Sequence, residues 1–126
     1  MSIRTGQTPI RTAEELLQQY AGGARSFVEI ELDDGEVDFS GACLDHVDFS
    51  RAYLVANFRG ASLRYARFSG ANLKTSDFSH ADLQGADLAG AALCATTFVG
   101  ARLEGANFDR ATVHGRVLGE GEKPDW

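Results

Sequence analysis

The stretch SGANLKTSDFSHADLQGADLAGAAL, residues 69–93, brings an apolar Leu or Phe back at every fifth position: Leu73, Phe78, Leu83, Leu88 and Leu93. A small residue stands two places before each: Ala71, Ser76, Ala81, Ala86 and Ala91. A helix repeats near every ~3.6 residues and a strand every ~2, so neither element accounts for a period of five. Two side chains spaced by two point the same way only in extended chain. The remaining three residues of each unit are mostly polar or Gly, so the chain must turn once per unit. Each unit is then a short extended side and a corner, with its apolar pair facing inward. Turning repeatedly in one sense makes a coil, and stacked coils make a solenoid.

Traced outward, the period covers most of the chain. The apolar series runs Phe39, Leu44, Phe49, Leu54, Phe58, Leu63, Phe68, Leu73, Phe78, Leu83, Leu88, Leu93, Phe98, Leu103, Phe108, Val113, sixteen units with one residue missing between Leu54 and Phe58. The companion position is Ala in twelve of them, the exceptions being Val37, Val47, Ser76 and Thr96. Phe and Leu alternate, which decides the number of sides. A three-sided coil would stack Phe on Leu in every column. A four-sided coil of about twenty residues gives clean columns: Phe39, Phe58, Phe78, Phe98 on a first face, and Leu44, Leu63, Leu83, Leu103 on a second. The third face reads Phe49, Phe68, Leu88, Phe108 and the fourth Leu54, Leu73, Leu93, Val113. The missing residue then marks a trimmed corner. Four coils at the ~4.8 Å spacing of neighbouring strands span roughly 20 Å.

The pattern A-[N/D]-[L/F]-x-x, seen as ANLKT, ADLQG, ADLAG and ANFDR, resembles that of the pentapeptide-repeat family over about residues 37–118. The resemblance implies an all-β fold, a right-handed quadrilateral β-helix of about four coils.

The ends need covers, because a solenoid leaves its core open there. TAEELLQQYA, residues 12–21, reads as a helix with Thr12 as N-cap and Glu15 completing a capping box. Leu16, Leu17 and Tyr20 form its apolar stripe and Gly22-Gly23 stop it. It is similar to the helical leader of bacterial members of the family, cyanobacterial ones especially. Phe27 and Leu32 continue the alternation as an incomplete starting turn, and DDGE, residues 33–36, bulges before Phe39. Val117 and Leu118 are expected to begin a further side, and Trp126 to fold back as a lid or remain a loose tip. The expected organisation is therefore a leader and capping helix over 1–26, a repeat body over 27–118 and a polar tail over 119–126.

Composition bounds the function. Net charge is −6, yet residues 37–118 carry eight acids and eight bases. The acidity sits in residues 1–36, with seven acids against three arginines, and in 119–126, with three acids against Lys123. The start lacks an apolar run, so no secretory signal is expected. No stretch approaches the ~18 apolar residues of a membrane span. A soluble cytoplasmic protein without membrane association is expected. Cys43 and Cys94 lie on opposite faces, the second and the fourth, which keeps them from pairing; free thiols suit a reducing compartment.

No catalytic, cofactor-binding or metal-ligating residue emerges. His46, His80 and His114 fall on three different faces and cannot converge on one ion. The abundant Asp and Ser residues lie on a convex surface, where Asp or Asn just before the apolar centre suits backbone-bonding turns. The corner glycines form no phosphate-binding motif. Arg51, Arg59, Arg64, Arg67 and Lys74 wind around all four faces as a belt, so nucleic-acid binding is not expected. The expected function is a non-catalytic structural or protein-interaction module, with no cofactor, no small-molecule substrate and an unidentified protein partner. An apolar C-terminal end at Phe98, Leu103, Phe108 and Val113 would also suit an end-to-end homodimer. The family resemblance supplies an alternative. Some members mimic a DNA duplex, bind type II topoisomerases and protect them from quinolones. Those are longer, acidic along their coils, and dimerise through a C-terminal helix. This chain departs on all three counts.

Overall fold

The computed structural model describes residues 10–124, and the side chains among them except those of 34–36. It contains one helix, α1 (Ala13–Ala21), and four strands: β1 (Glu31–Asp38), β2 (Tyr53–Asn57), β3 (Thr112–Val113) and β4 (Arg116–Val117). The strands are few because each side of the coil is too short for more than one ladder rung. The repeat body is held instead by single parallel bridges. These fall into four columns: Asp38–Asn57–Asp77–Thr97, Cys43–Ser62–Asp82–Arg102, Ser26–Asp48–Arg67–Asp87–Asn107 and Glu31–Tyr53–Asn72–Ala92–Thr112. Partners lie 19 residues apart between the first and second full coils, as in Asp48↔Arg67, and 20 apart above, as in Arg67↔Asp87. The chain therefore completes a circuit with four sides every twenty residues, and one circuit is a residue short.

Every full unit turns in the same way. The carbonyl of the inward residue accepts the N–H three residues on, as in Ala42 N–H to Phe39 O at 3.0 Å and Ala86 N–H to Leu83 O at 3.0 Å. The residue two past the inward one has positive φ, whether Gly41 (68°), Tyr65 (60°) or Gly85 (72°). These are the marks of a type II turn. The Leu and Phe series is buried from Phe39 through Leu93, with Val37, Val47 and the companion alanines beside it, Ala42 being half-buried. Along the first face the rings stack: Phe39–Phe58 at 5.3 Å, Phe58–Phe78 at 4.7 Å and Phe78–Phe98 at 5.2 Å between centroids. Strand spacing and ring stacking distance are nearly equal, so backbone ladder and aromatic column reinforce one another.

The trimmed corner lies where the sequence is one residue short. Here β2 runs straight through and no turn N–H reaches Leu54 O. The hydroxyl of Ser76, in the coil above, takes its place. It donates to Leu54 O at 2.9 Å and accepts from Ala56 N–H at 3.1 Å. Thr96, one coil higher, donates to Leu73 O at 2.7 Å. The two polar exceptions to the alanine rule thus share one column above the defect, and both are buried.

At the lower end, the Phe27 ring packs against that of Phe49, 5.9 Å between centroids and tilted by 36°, and Leu32 pairs with Leu54. They form half a starting coil beneath the third and fourth faces. Between Leu32 and Val37 the β1–β2 ladder is broken by a bulge, the residues 33–36. α1 covers the other half. Thr12 caps it, accepting from Glu15 N–H at 3.1 Å, and the Glu15 carboxylate accepts from Thr12 N–H at 3.2 Å. Ala13 and Leu16 are buried, and the Tyr20 hydroxyl donates to Asp45 O at 2.8 Å, tying the helix to the second face.

The upper end corrects the sequence reading. Leu118 follows Phe98 by twenty residues and was expected to begin a new side with Val117. Instead His114 and Gly115, both at positive φ (47° and 79°), reverse the chain, and β4 runs antiparallel to β3. Leu118 then donates to Ala111 O at 2.8 Å and accepts from Arg110 N–H at 3.0 Å. It is 1% exposed and closes the core where the third and fourth faces meet. Pro124 is buried as well, and Gly121 N–H donates to Asp109 Oδ1 at 3.1 Å, which ties the polar tail to the last coil. The expected open apolar end is therefore mostly shut: Phe98, Phe108 and Val113 are buried and Leu103 alone is half-buried. That removes most of the surface on which an end-to-end dimer was expected to form. Trp126 lies outside the described residues.

Ser76→Ala would leave Leu54 O and Ala56 N–H unpaired in the core. A loss of about 1–3 kcal/mol is expected in denaturant unfolding, against less than about 0.5 for outward Gln84→Ala. Equal midpoints would show that the hydroxyl does not replace the missing turn bond.

Candidate interaction surface

The outward residue just before each inward one is most often Asp or Asn, and its side chain works on its own corner. Asp48 Oδ1 accepts from Ser50 N–H at 2.9 Å and from the Ser50 hydroxyl at 2.6 Å. Asn57 accepts from Arg59 N–H, Asp77 from Ser79 N–H, Asp87 from Ala89 N–H and Asn107 from Asp109 N–H, each at 2.9–3.0 Å. These are Asx turns, and they satisfy the N–H group that enters the corner. They also set the acidity. Partial burial works to raise Asp48, but the two Ser50 bonds, with Arg67 and Arg51, outweigh it and hold the carboxyl below its ordinary range. Asp77 is held low in the same way, against its burial, by Ser79 and Arg59. A general acid near neutral pH needs the opposite shift.

Outward and corner positions carry the charge of the body, and its first three full coils are predominantly acidic, basic and acidic in turn. The first full coil presents Asp38, Asp45 and Asp48 with Arg51, the second Arg59, Arg64, Arg67 and Lys74, the third Asp77, Asp82 and Asp87, and the last mixes Arg102 and Arg110 with Glu104 and Asp109. No Lys or Arg lies between residues 75 and 101, and no acid between 51 and 76. On the third face Asp48, Arg67 and Asp87 follow one another through direct bridges. On the second, Asp45 Oδ1 accepts from Arg64 N–H at 2.9 Å, and Arg64 lies 3.9 Å from Asp82. On the first, Arg59 reaches Asp77 at 3.4 Å. Each exposed pair contributes about 0–1 kcal/mol. Their larger consequence is a surface banded across the prism, with no single face of one sign among the described residues.

The other polar residues do not gather. His46 stacks on Tyr65 at 5.3 Å between centroids. His80 leans over Gly100, where a Cβ would lie 2.5 Å from its ring. His114 occupies the β3–β4 turn. Cys43 and Cys94 are free, exposed and on separate faces. Among the described residues no group of three or more His, Cys, Asp or Glu is placed to hold a metal ion. A shallow groove of about 400 Å³ opens at the trimmed corner, lined by Asp38, Asn57, Thr75 and Asp77 with Val37, Val55 and Ala56. Sequence reasoning missed it. The signal was the missing residue itself, since a shortened corner draws the wall inward. Among the described residues no helix is long and apolar enough to cross a membrane.

Comparison with known proteins agrees with this geometry. The pentapeptide-repeat pattern matches in 8 copies, over residues 56–93 and 86–115. A pentapeptide repeat protein of Nostoc Pcc 7120, alr5209, is 35% identical, with 93% of each chain covered and a TM-score of 0.47. The pentapeptide repeat protein Rfr23 of the cyanobacterium Cyanothece 51142 is 24% identical over 70% of this chain and 63% of its own, with a TM-score of 0.59. The plasmid-mediated fluoroquinolone resistance protein QnrB1 is more distant, 22% identical over 71% of this chain and 63% of its own, with a TM-score of 0.35. No curated protein matches the chain. The chain belongs to the pentapeptide-repeat family.

Two measurements check this surface. Asp48 is held below the ordinary carboxylate value of ~3.9, so its ionised form stabilises the fold above that pH, and the contribution is lost as pH falls below it. Asp48→Asn keeps the turn acceptor but not the charge. Thermal melts should separate the two proteins at pH 7 and converge toward pH ~3; a constant difference would deny the charge a role. Both thiols should react with a thiol reagent in the folded protein, and protection of both would contradict their outward placement.

Proposed function

We propose that this chain is a non-catalytic protein-interaction module, a right-handed quadrilateral β-helix whose rigid faces present a fixed pattern of charge to a partner protein in the cytoplasm. The observation that carries this reading is the banding. Rings of Asp, Arg and Asp repeat at one-coil spacing around the prism, which is a surface specific for a partner with complementary bands. Charge patterning of this kind selects partners and orients them more than it adds affinity. The helix at one end and the hairpin at the other support a self-contained prism, and the two exposed thiols suit a reducing compartment. Membership of the pentapeptide-repeat family supports the reading as well.

The alternative is a DNA-like surface that binds a type II topoisomerase. A duplex carries one negative charge per ~1.7 Å along its axis without interruption. Here Arg59, Arg64 and Arg67 interrupt the first three faces, and the fourth carries Lys74. The banding therefore favours the first reading.

The test uses a triple variant, Arg59→Glu, Arg64→Glu and Arg67→Glu, beside the unaltered chain. A partner recovered from the native host by the unaltered chain should be retained at least tenfold less by the variant. Circular dichroism should show both proteins folded. The unaltered chain should leave DNA supercoiling by a type II topoisomerase unchanged. Inhibition of supercoiling that strengthens in the variant would overturn the proposal and install the DNA-like reading.

A further inference from the structure

The last full coil ends in an open rung on its second side. In the coil beneath it, His80 N–H donates to Val99 O at 2.8 Å, Leu83 N–H to Arg102 O at 2.8 Å and Gly85 N–H to Glu104 O at 2.9 Å, while Arg102 N–H donates down to Ala81 O at 2.9 Å. The equivalent groups twenty residues later are the N–H of Gly100, Leu103 and Gly105 and the carbonyl of Ala101. None of them has a partner among the described residues. Residues 100–105 are all exposed or half-buried, and Leu103 is the one inward Leu of the second column that is not fully covered. The opposite, fourth side is closed at this level by β4, and the corner between the third and fourth by Leu118, which is bonded to Arg110 and Ala111. The hairpin turns the chain back over the fourth side, so the described residues do not continue the column.

We propose that this rung, residues 100–105 on the second face, receives one extended segment of the partner protein by parallel strand addition. The inference rests on the interaction-module reading and names the contact. The coil-on-coil interface beneath dictates what fits, because the same ladder would continue. One residue of the segment donates its N–H to Ala101 O and accepts from Leu103 N–H, and the carbonyl two residues on accepts from Gly105 N–H. The residue before it faces inward over the column of Ala42, Ala61, Ala81 and Ala101, and must be small. The residue after it covers Leu103 and must be Leu or Phe. Outside, it lies over Arg102, in the column where Arg102 itself stands over Asp82; charge complementarity calls for Asp or Glu. The next outward place lies over Glu104 and favours an amide or a base. The occupant is thus a segment of the form small–acidic–apolar–polar. Backbone bonds would supply affinity and the alternate side chains specificity. A second copy meeting this one end to end is a poorer occupant, since β4 already stands at the same level and holds two prism ends more than one strand apart.

The chain contains its own probe. The peptide Ser79–Gly85, SHADLQG, carries that pattern with Asp82 at the acidic place. Titrated into the isotope-labelled full chain as a capped peptide, it should shift the amide signals of Gly100, Leu103 and Gly105 saturably and slow their hydrogen exchange. Affinity near ~1 mM is expected for so short a segment. Replacing Asp82 of the peptide by Lys should weaken binding severalfold, and Arg102→Glu in the exposed rung should reverse that preference. A dispersed amide spectrum shows the variant folded. Shifts confined to other residues, or no saturable shift up to about 5 mM, overturn the proposal. So does protection of the three amides by self-association that rises with protein concentration, which makes a second copy the occupant. If the charge-ring variant still loses its partner while the rung stays empty, this proposal fails and the interaction-module reading stands.

Discussion

Everything in this structure depends on a corner that can be made every fifth residue. The corner needs a backbone conformation with positive φ two places after the inward side chain, and each full unit supplies it. Gly does so freely, but His46, Arg51, Tyr65, Thr75, His80, Ala95 and Arg110 are held there too, at φ between 57° and 65°. A left-handed residue costs roughly 1–2 kcal/mol outside Gly. The cost is offset because the corner places N–H and C=O groups in register with the coils on either side, and puts Phe on Phe at stacking distance. Where a ring does occupy a corner, the coil above yields: Tyr65 lies so close over Gly85 that a Cβ there would stand 2.6 Å from the ring. Gly85 is required by this neighbour as well as by its own φ.

The same logic explains the irregular parts. Removing one residue removes a turn, a turn donor and part of the wall at once. The vacancy among bonds is filled by the Ser76 hydroxyl, and the change in wall leaves the groove beside Asp38 and Asp77. At the upper end, two successive residues of positive φ at His114 and Gly115 make a hairpin reversal in place of a corner. A β-solenoid with bare ends exposes paired-strand edges that invite association. Here helix, half-coil and hairpin close most of both ends, and the rung at residues 100–105 is left open.

Charge follows from the ladder as well. Outward side chains of adjacent coils are held about one strand spacing apart, so like charges would repel along every column. Alternation of Asp, Arg and Asp relieves this and at the same time writes bands on the faces. The turn bonds to Asp48 and Asp77 help hold those two carboxyls low, so their charge persists across the neutral pH range. Recognition through such a surface needs no cleft and no carboxyl raised toward neutral pH.

The sequence by itself determined the repeat, the inward columns, the four-sided circuit of twenty residues, the site of the trimmed corner, the capped helix and the half starting coil at Phe27 and Leu32. These follow from local period and from the identity of residues that recur in phase, and each unit repeats the same local decision. Only the tertiary structure decided how the chain stops. Leu118 stands in phase with Phe98, so spacing assigned it to a new side, whereas the reversal at His114 and Gly115 delivers it to Ala111. The reason is that phase along the chain predicts position only while every corner turns alike, and a single reversal breaks it. The role of Ser76, the groove and the empty rung at Leu103 were hidden for a related reason. Each depends on what the next coil does or does not supply at a given level, and that is a property of the stack rather than of the unit.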